Sequence, residues 1–441
     1  MQINIPNDQW AATPESIRGL VMQLIQQLDF SLKHNAQLNE GVHYTQNIMP
    51  MLAKIARGRP REKRQVVFIC DSPASRQAKL AFGLKEIGWN VILLHKEQPS
   101  FDASLYFSAR YQYSSPLQAC LLACSFSPTA FHTFGSWACG TAKAVIEVKP
   151  GPLVFDAYDM ISVSLQDRVA RQFASGQADE RFCLENADGV CTRHVFLSHA
   201  KRKLGFKPRK VVFFPEYCWD SPDLYGKPRP KKLSDGIHCA YVGSLSPEQF
   251  DTPEGRVSVT DRQFIRSLTD RKIHYHIHPY VGPTSPEQFR RDFAAYIEEA
   301  DVNPYFHFYP MMTYEELHPI LSQYHFGLVS AAQSVLENGD YSYKPIMHRR
   351  GTLNKGFDYI DADLVMITYA WEVPARLARG ACMIIERSQI AEKISHITPE
   401  MFERELRDAI TPVRRRLAVW RHSARLARFY ENLMEMPTHS P

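Results

Sequence analysis

A chain of 441 residues, 44% of them hydrophobic, is long enough for about two to three domains and apolar enough to bury ordinary cores. No run approaches the ~18 apolar residues of a membrane span, which excludes a helical membrane protein. The net charge of +5, spread over 52 basic and 47 acidic residues, is too mild to define a nucleic-acid binder, and no nucleic-acid partner is expected.

Nine cysteines, an odd number with no C-x-x-C pair, predict reduced thiols rather than a disulfide framework. The first residues lack a charged segment followed by an apolar one, so no leader is expected and the predicted location is the cytoplasm. Positive charge concentrates in HAKRKLGFKPRK (His199 to Lys210) and RRRLAVWRHSARLARF (Arg414 to Phe429). Such patches suit anionic lipid or nucleic acid, and solvated helix faces account for them equally well.

Residues 1–64 read as a helical extension and linker. Pro14 and Glu15 open a helix in which Ile17, Leu20, Val21, Leu24, Ile25 and Leu28 recur at spacings of three and four. The polar stretch Ala56 to Arg64 then connects it to the first domain. From Gln65 the pattern alternates strand and helix. Val66 to Cys70 is a buried-strand run, Ala74 to Ile87 is helical, Gly88 stops it, and Asn90 to Leu94 is the next strand. Strands at Ala130 to Thr133, Pro152 to Asp159, Gly189 to Thr192 and Lys210 to Phe214 continue the alternation, with a helix at Val195 to Leu204 before the last. This predicts one parallel sheet in a first domain, 65–220. The first turn, DSPAS, lacks G-x-G-x-x-G, which disfavours a dinucleotide-dependent enzyme.

After the Pro- and Lys-rich connection, a second set of strands is predicted at His238 to Gly243, Lys272 to His278, Pro304 to Tyr309, Phe326 to Ser330, Leu364 to Thr368 and Ala381 to Glu386. Thr313 and Glu316 form a capping box that opens the helix between the third and fourth. These define a second domain, 235–412, and a helix over 413–435 is long enough to reach back over the first. The fold class is therefore α/β, two Rossmann-like doubly wound domains with an N-terminal helical extension and a cleft between them.

Asn354 to Thr368, NKGFDYIDADLVMIT, is the most informative stretch. Asn354 can cap a helix whose first turn carries Lys355, and a helix N-terminus with free N–H groups and a lysine is suited to an anion such as a diphosphate. A solvated surface lysine is the competing reading. Asp156 and Asp159 follow a strand at its C-terminal end, where ligands of open sheets gather. Asp159 is expected to orient or deprotonate an acceptor hydroxyl, against the alternative of a loop-capping aspartate. His132 also leaves a strand end; a hydrogen-bonded structural histidine competes with a catalytic one.

Taken in order, GWNVILL, TAFHTFGSWACGTAKAVIEVKPGPLVFDAYDM and LENADGVCTRHVFLSHAKRKLG, then YVGSL, HIHPY, FHFYPMMTYEELHPILSQYHFGLV and NKGFDYIDADLVMIT, resemble the GT-B glycosyltransferases. More narrowly, they resemble the metal-independent, retaining enzymes of bacterial polysaccharide synthesis. The resemblance spans about Gln65 to Tyr430 as order and texture rather than strict motifs. It implies transfer of a sugar, hexosyl transfer being the expected class, from a nucleoside-diphosphate sugar to a glycan or lipid-linked acceptor, with no cofactor. A leaving diphosphate needs fixed cations and N–H groups, for which Lys355, Arg349, Arg350 and the backbone around Gly243 and Ser244 are the candidates, with Asn354 and Tyr309 also expected on the donor side; the resemblance implies Asp358 near the ribose. The chain departs from the family's usual pair of glutamates: Asp358 stands at the second acid, and Arg350 at the first. Arg256 and Arg262 are loosely spaced candidates for the basic pair after YVGSL.

The run HYHIHP invites a metal reading that geometry opposes. On one strand face His274 and His278 are ~13 Å apart at ~3.3 Å per residue, too far to share an ion with ~2.1 Å bonds. No metal is expected to be required. Two alternatives to the transferase stand: a nucleotide-sugar epimerase of the same architecture, which needs no separate acceptor, and a non-catalytic binding or scaffold protein, which the missing acid favours.

Overall fold

The computed structural model describes residues 39–135, 138–164, 174–193, 205, 209–220, 230–245, 249–252, 255–259, 262–280, 285–329, 334–336, 354–368 and 372–434. The helices predicted at Pro14 to Leu28 and Val195 to Leu204 lie outside these residues.

Helix α1 (Asn39–Gly58) buries Met49, Leu52, Ala53 and Ala56 against the first domain. Only Arg59, Pro60 and Arg61 separate it from strand β1 (Glu62–Cys70), so sheet begins where the polar composition predicts a linker. The other strands of the first sheet are β2 (Asn90–His95), β3 (Ala109–Gln112), β4 (Pro128–Gly135), β5 (Leu153–Ala157), β6 (Gly189–Thr192) and β7 (Val211–Phe213). Their order is β3-β2-β1-β4-β5-β6-β7 and every neighbouring pair is parallel. Buried parallel strands are apolar on both faces, which is why β4 and β5 are buried along their whole length. Val66 and Phe68 enter one core layer, Val67 and Ile69 the other. Strand β3, ARYQ, alternates in burial at the sheet edge; it is too short and polar to stand out in the sequence. Helices α2 (Ser75–Glu86), α3 (Pro116–Ser125), α4 (Gly140–Val148) and α5 (Ala174–Asn186) are the longer ones that connect these strands.

The second domain opens with β8 (His238–Ser244) and includes a small antiparallel sheet of β9 (Gln249–Thr252), β10 (Gly255–Val259) and a later strand, absent from the sequence expectations. Its main strands continue with β11 (His274–Tyr280), β12 (Phe306–Phe308) and β13 (Phe326–Leu328). The third strand of the small sheet is β14 (Ser334–Leu336), and β15 (Val365–Thr368) and β16 (Cys382–Ile384) close the main one. The six-stranded order is β12-β11-β8-β13-β15-β16, again all parallel. Arg262, a candidate for the basic pair, opens helix α6 (Arg262–Thr269). The predicted capping box is present, with Thr313 and Glu316 exchanging hydrogen bonds at the start of α7 (Tyr314–Leu321). Helix α8 (Asn354–Asp361) precedes β15.

Two chain crossings join the halves side by side. Cys218 N donates to Leu417 O at 2.9 Å and Val419 N to Cys218 O at 2.8 Å. The second crossing links α9 (Arg407–Arg416), which stays on the second domain, to α10 (Val419–Met434), which packs on α2 and β4 of the first. Asp361 at the end of α8 accepts from Trp219 N and Asp220 N, and Arg414 pairs with Asp220 at 3.0 Å. The residues just beyond β5 of the first sheet are thereby brought against the start of α8 in the second domain.

Candidate active site

In the second sheet, β8 is flanked by β11 and β13, the point at which strand order reverses. Open parallel sheets bind ligands beyond the strand ends at such a point. Gly243 lies there at φ +124°, a conformation that favours glycine. A Cβ on it would sit 2.9 Å from Lys355 Nζ. The position of α8 is fixed from below by Tyr359, whose hydroxyl accepts from Val242 N and donates to Leu328 O, both at 2.9 Å. Gly327 leaves room for that ring, since a Cβ there would lie 2.1 Å from it.

This places Lys355, in the first turn of α8, under the turn at Gly243. Its Nζ donates to Tyr241 Oη at 3.0 Å and lies 4.2 Å from the centre of the Tyr241 ring. Among the described residues it has no carboxylate partner. Burial alone lowers its pKa to about 7. An anion arriving at the helix N-terminus would supply the missing counter-charge.

Across the cleft the first sheet presents Tyr158 and Asp159, just beyond β5. Arg193, following β6, bonds Asp159 at 2.5 Å, donates from Nε to Tyr158 O at 2.9 Å and stacks 3.9 Å over the Tyr158 ring. Behind it Arg76, buried in α2, binds Asp156 and Glu216 at 2.9 Å each. Burial raises the Asp156 pKa, but Arg76 and His132 outweigh it and hold the carboxyl below its ordinary value. One bond spans the two halves at this level: Asn354 Nδ2 donates to Tyr158 Oη at 2.9 Å. Asn354 is thus the first residue of the helix, and its side chain is spent across the cleft rather than on a cap.

Gly243, Asn354, Lys355 and Asp159 are brought together around this bridge. His132 is fully buried, its Nδ1 2.6 Å from Tyr430 Oη and its Nε2 3.3 Å from Asp156. Its ring stacks on Phe134 at 4.5 Å, under helix α10, so the imidazole supports Asp156 rather than meeting solvent. Asp358 is also enclosed: it pairs with Lys79 of α2 at 2.6 Å, an ion pair between the two halves. Burial pushes the Asp358 carboxyl above its ordinary pKa, against the pull of Lys79. Tyr309 follows β12, its ring stacked on His278 at 4.3 Å and its hydroxyl 3.1 Å from His276 Nδ1. Arg349, Arg350 and the side chain of Ser244 lie outside the described residues. Sequence reasoning did not single out Arg76, Lys79, Tyr158, Arg193, Glu216 or Tyr241. Arg76 and Lys79 do stand in the first turns of the helix after β1, a position that faces the strand ends in any such unit.

No protein-family model matches the chain, and no curated protein does. Solved structures do. A sucrose-phosphate synthase from Thermosynechococcus elongatus is similar with a TM-score of 0.55 at 13% identity, over 84% of this chain and 99% of that one. An α-glucosyltransferase in complex with UDP-glucose and DNA containing an abasic site gives 0.53 at 8% identity, over 83% and 100%. A UDP-forming α,α-trehalose-phosphate synthase from Burkholderia xenovorans in complex with glucose-6-phosphate gives 0.50 at 12%, over 83% and 99%. At these identities the likeness concerns the fold: this chain has the two-domain, Rossmann-like α/β architecture called GT-B.

Proposed function

We propose that the chain is a glycosyltransferase, of the hexosyltransferase class, moving a sugar from a nucleoside-diphosphate sugar to an acceptor hydroxyl. The observation that carries the reading is Lys355: a lysine with no carboxylate partner among the described residues, at a helix N-terminus, beneath a glycine turn at the switch point of the second sheet. The leaving diphosphate gains negative charge as the glycosidic bond to it breaks, and a preorganised cation with free N–H groups stabilises that charge more in the transition state than in the ground state. Asn354 and Tyr158 tie this end of α8 to the acceptor side. In this proposal Asp159, paired with Arg193, positions the attacking hydroxyl or takes its proton.

In this reading no metal ion takes part in the transfer, because Lys355 and backbone N–H groups do the work a divalent cation does elsewhere. The setting is assembly of a surface polysaccharide or glycoconjugate at the cytoplasmic side, with a glycan or lipid-linked acceptor. No helix among the described residues is long and apolar enough to cross a membrane, so contact with a lipid-linked acceptor would be peripheral.

The test is a screen of common nucleoside-diphosphate sugars with wild-type protein, reading release of the diphosphate with and without pooled glycan and lipid-linked acceptors. Acceptor-dependent release supports the transferase. Interconversion of the sugar without acceptor makes the protein an epimerase, and binding without either reaction makes it a scaffold.

A further inference from the structure

Histidines remote from this cleft form a second arrangement. His238 opens β8 and its register partner across the β8–β11 ladder is His274. Their rings stack at 4.3 Å with 6° between planes, and the Nε2 atoms of both approach Asp235. Asp235, on the segment entering β8, meets both: Oδ1 is 2.9 Å from His238 Nε2 and Oδ2 is 3.9 Å from His274 Nε2. The three ligand atoms lie within 4.8 Å of one another. Gly236, at φ +150°, carries the chain over the His274 ring, where a Cβ would approach Cδ2 to 3.3 Å. Asp235 is 66% exposed, which leaves the set open to solvent.

The far sides of both rings are equally ordered. His238 Nδ1 is 2.9 Å from His276 Nε2, and His276 Nδ1 is 3.1 Å from Tyr309 Oη. His274 Nδ1 is 3.1 Å from His307 Nε2. A metal-ligating imidazole must be unprotonated at the ligating nitrogen, and it usually donates its other N–H to a fixed acceptor. Here each proton has a place: His238 Nδ1–H on His276 Nε2, His276 Nδ1–H on the Tyr309 oxygen, His274 Nδ1–H on His307 Nε2. Two imidazoles and a carboxylate, with a position left for water, suit Zn²⁺ and its neighbours in the first transition row.

We propose that Asp235, His238 and His274 bind one divalent transition-metal ion of the Zn²⁺ type, and that the ion fastens the interdomain segment to the N-terminal ends of β8 and β11, two interior strands of the second sheet. The site lies at the opposite end of β8 from Gly243, roughly 17 Å away along a strand. Its role is structural and separate from sugar transfer. The segment it would clamp is already stitched down by Lys232, which donates to the carbonyls of Ser322, Tyr324 and Asp363. A neighbouring anchor is Arg407, which donates to Pro230 O.

The test is titration of metal-stripped full-length protein with Zn²⁺, and with Co²⁺ read by its visible absorption. Asp235→Asn and His274→Gln are compared with His396→Gln, a change at an exposed histidine outside the cluster. Asp235 is exposed, so the asparagine variant is expected to fold. One equivalent should bind the wild type and raise its unfolding temperature, with affinity at least about tenfold lower in Asp235→Asn and His274→Gln and unchanged in His396→Gln. Absence of binding to the wild type, or equal affinity in all variants, overturns the proposal.

Discussion

Arg76 and Lys355 are cations in opposite halves of the molecule, and their surroundings differ in kind. Arg76 is enclosed with two carboxylates and a backbone carbonyl, and the burial that would lower its pKa is outweighed by Asp156 and Glu216. Lys355 has a tyrosine hydroxyl and an aromatic face, and its pKa falls. Satisfying a buried cation from within makes it part of the framework. Lys355, at a helix start with no carboxylate partner among the described residues, keeps its interaction energy for something that arrives. The same contrast separates Lys79, paired with Asp358, from Lys355 on the helix that carries both Lys355 and Asp358.

The largest effect should come from breaking the framework. Arg76→Met leaves Asp156 and Glu216 buried without their main partner, and removal of one member of a buried ion pair costs about 3–5 kcal/mol. Urea unfolding measures it. A loss under about 1 kcal/mol would mean that Arg193, 3.6 Å from Glu216, already carries the load.

Next is Asp159→Asn. Asparagine keeps the shape but neither takes a proton nor forms the ion pair with Arg193. Transfer should fall by roughly 100-fold while affinity for the nucleoside diphosphate is retained. Wild-type rates in the asparagine variant would remove Asp159 from the chemistry and leave it as an anchor for Arg193.

Lys355→Met should weaken the nucleoside diphosphate by about tenfold or more, near 1.4 kcal/mol, yet stabilise the empty protein below neutrality. The sign follows from the depressed pKa of about 7. Between that value and the ordinary lysine range the unfolded chain holds a proton that the folded chain lacks, so this residue makes stability rise with pH across the window and imposes its full penalty below it. Methionine removes the slope, and melting curves from pH 6 to 10 should converge at the alkaline end. Diphosphate binding should also take up a proton near pH 8, visible as a buffer-dependent enthalpy, because the bound anion restores the ammonium form. A buffer-independent enthalpy would show that Lys355 is not the counter-charge.

How much of this was legible depends on the range of each interaction. Twelve strands of the two main sheets stand out in sequence because buried parallel strands are continuous apolar runs, and the helix of Asn354 and Lys355 stands out through its local pattern. The short edge strand ARYQ and the antiparallel strands around Arg256 carry no comparable run. The partners of Asp358 and His132 were not legible: Lys79 and Tyr430 are hundreds of residues away, and only the packing of α2 and α10 brings them in. The histidines show the same limit. Spacing along HYHIHP separates His274 from His278, whereas the metal geometry is made across strands, with His238 from β8 and Asp235 from the connection before it.

The smallest effect expected concerns the membrane. Several cations of the C-terminal patch are engaged within the protein: Arg414 with Asp220, Arg425 with the Tyr217 hydroxyl, Arg416 with the Leu377 carbonyl. Arg421, Arg425 and Arg428 are nonetheless exposed, and their spacing of four and three places them on one face of α10. A cation close to an anionic bilayer contributes about 1 kcal/mol, screened by salt. A stripe this short should give weak sedimentation with phosphatidylserine vesicles that fades as ionic strength rises, and none with neutral vesicles. Arg421→Gln with Arg428→Gln should remove most of it without altering the melting temperature, because neither side chain bonds a distant part of the chain among the described contacts. Equal partition onto neutral and anionic vesicles, or retention in the double variant, would take this face of α10 out of the account and leave acceptor binding to the cleft alone.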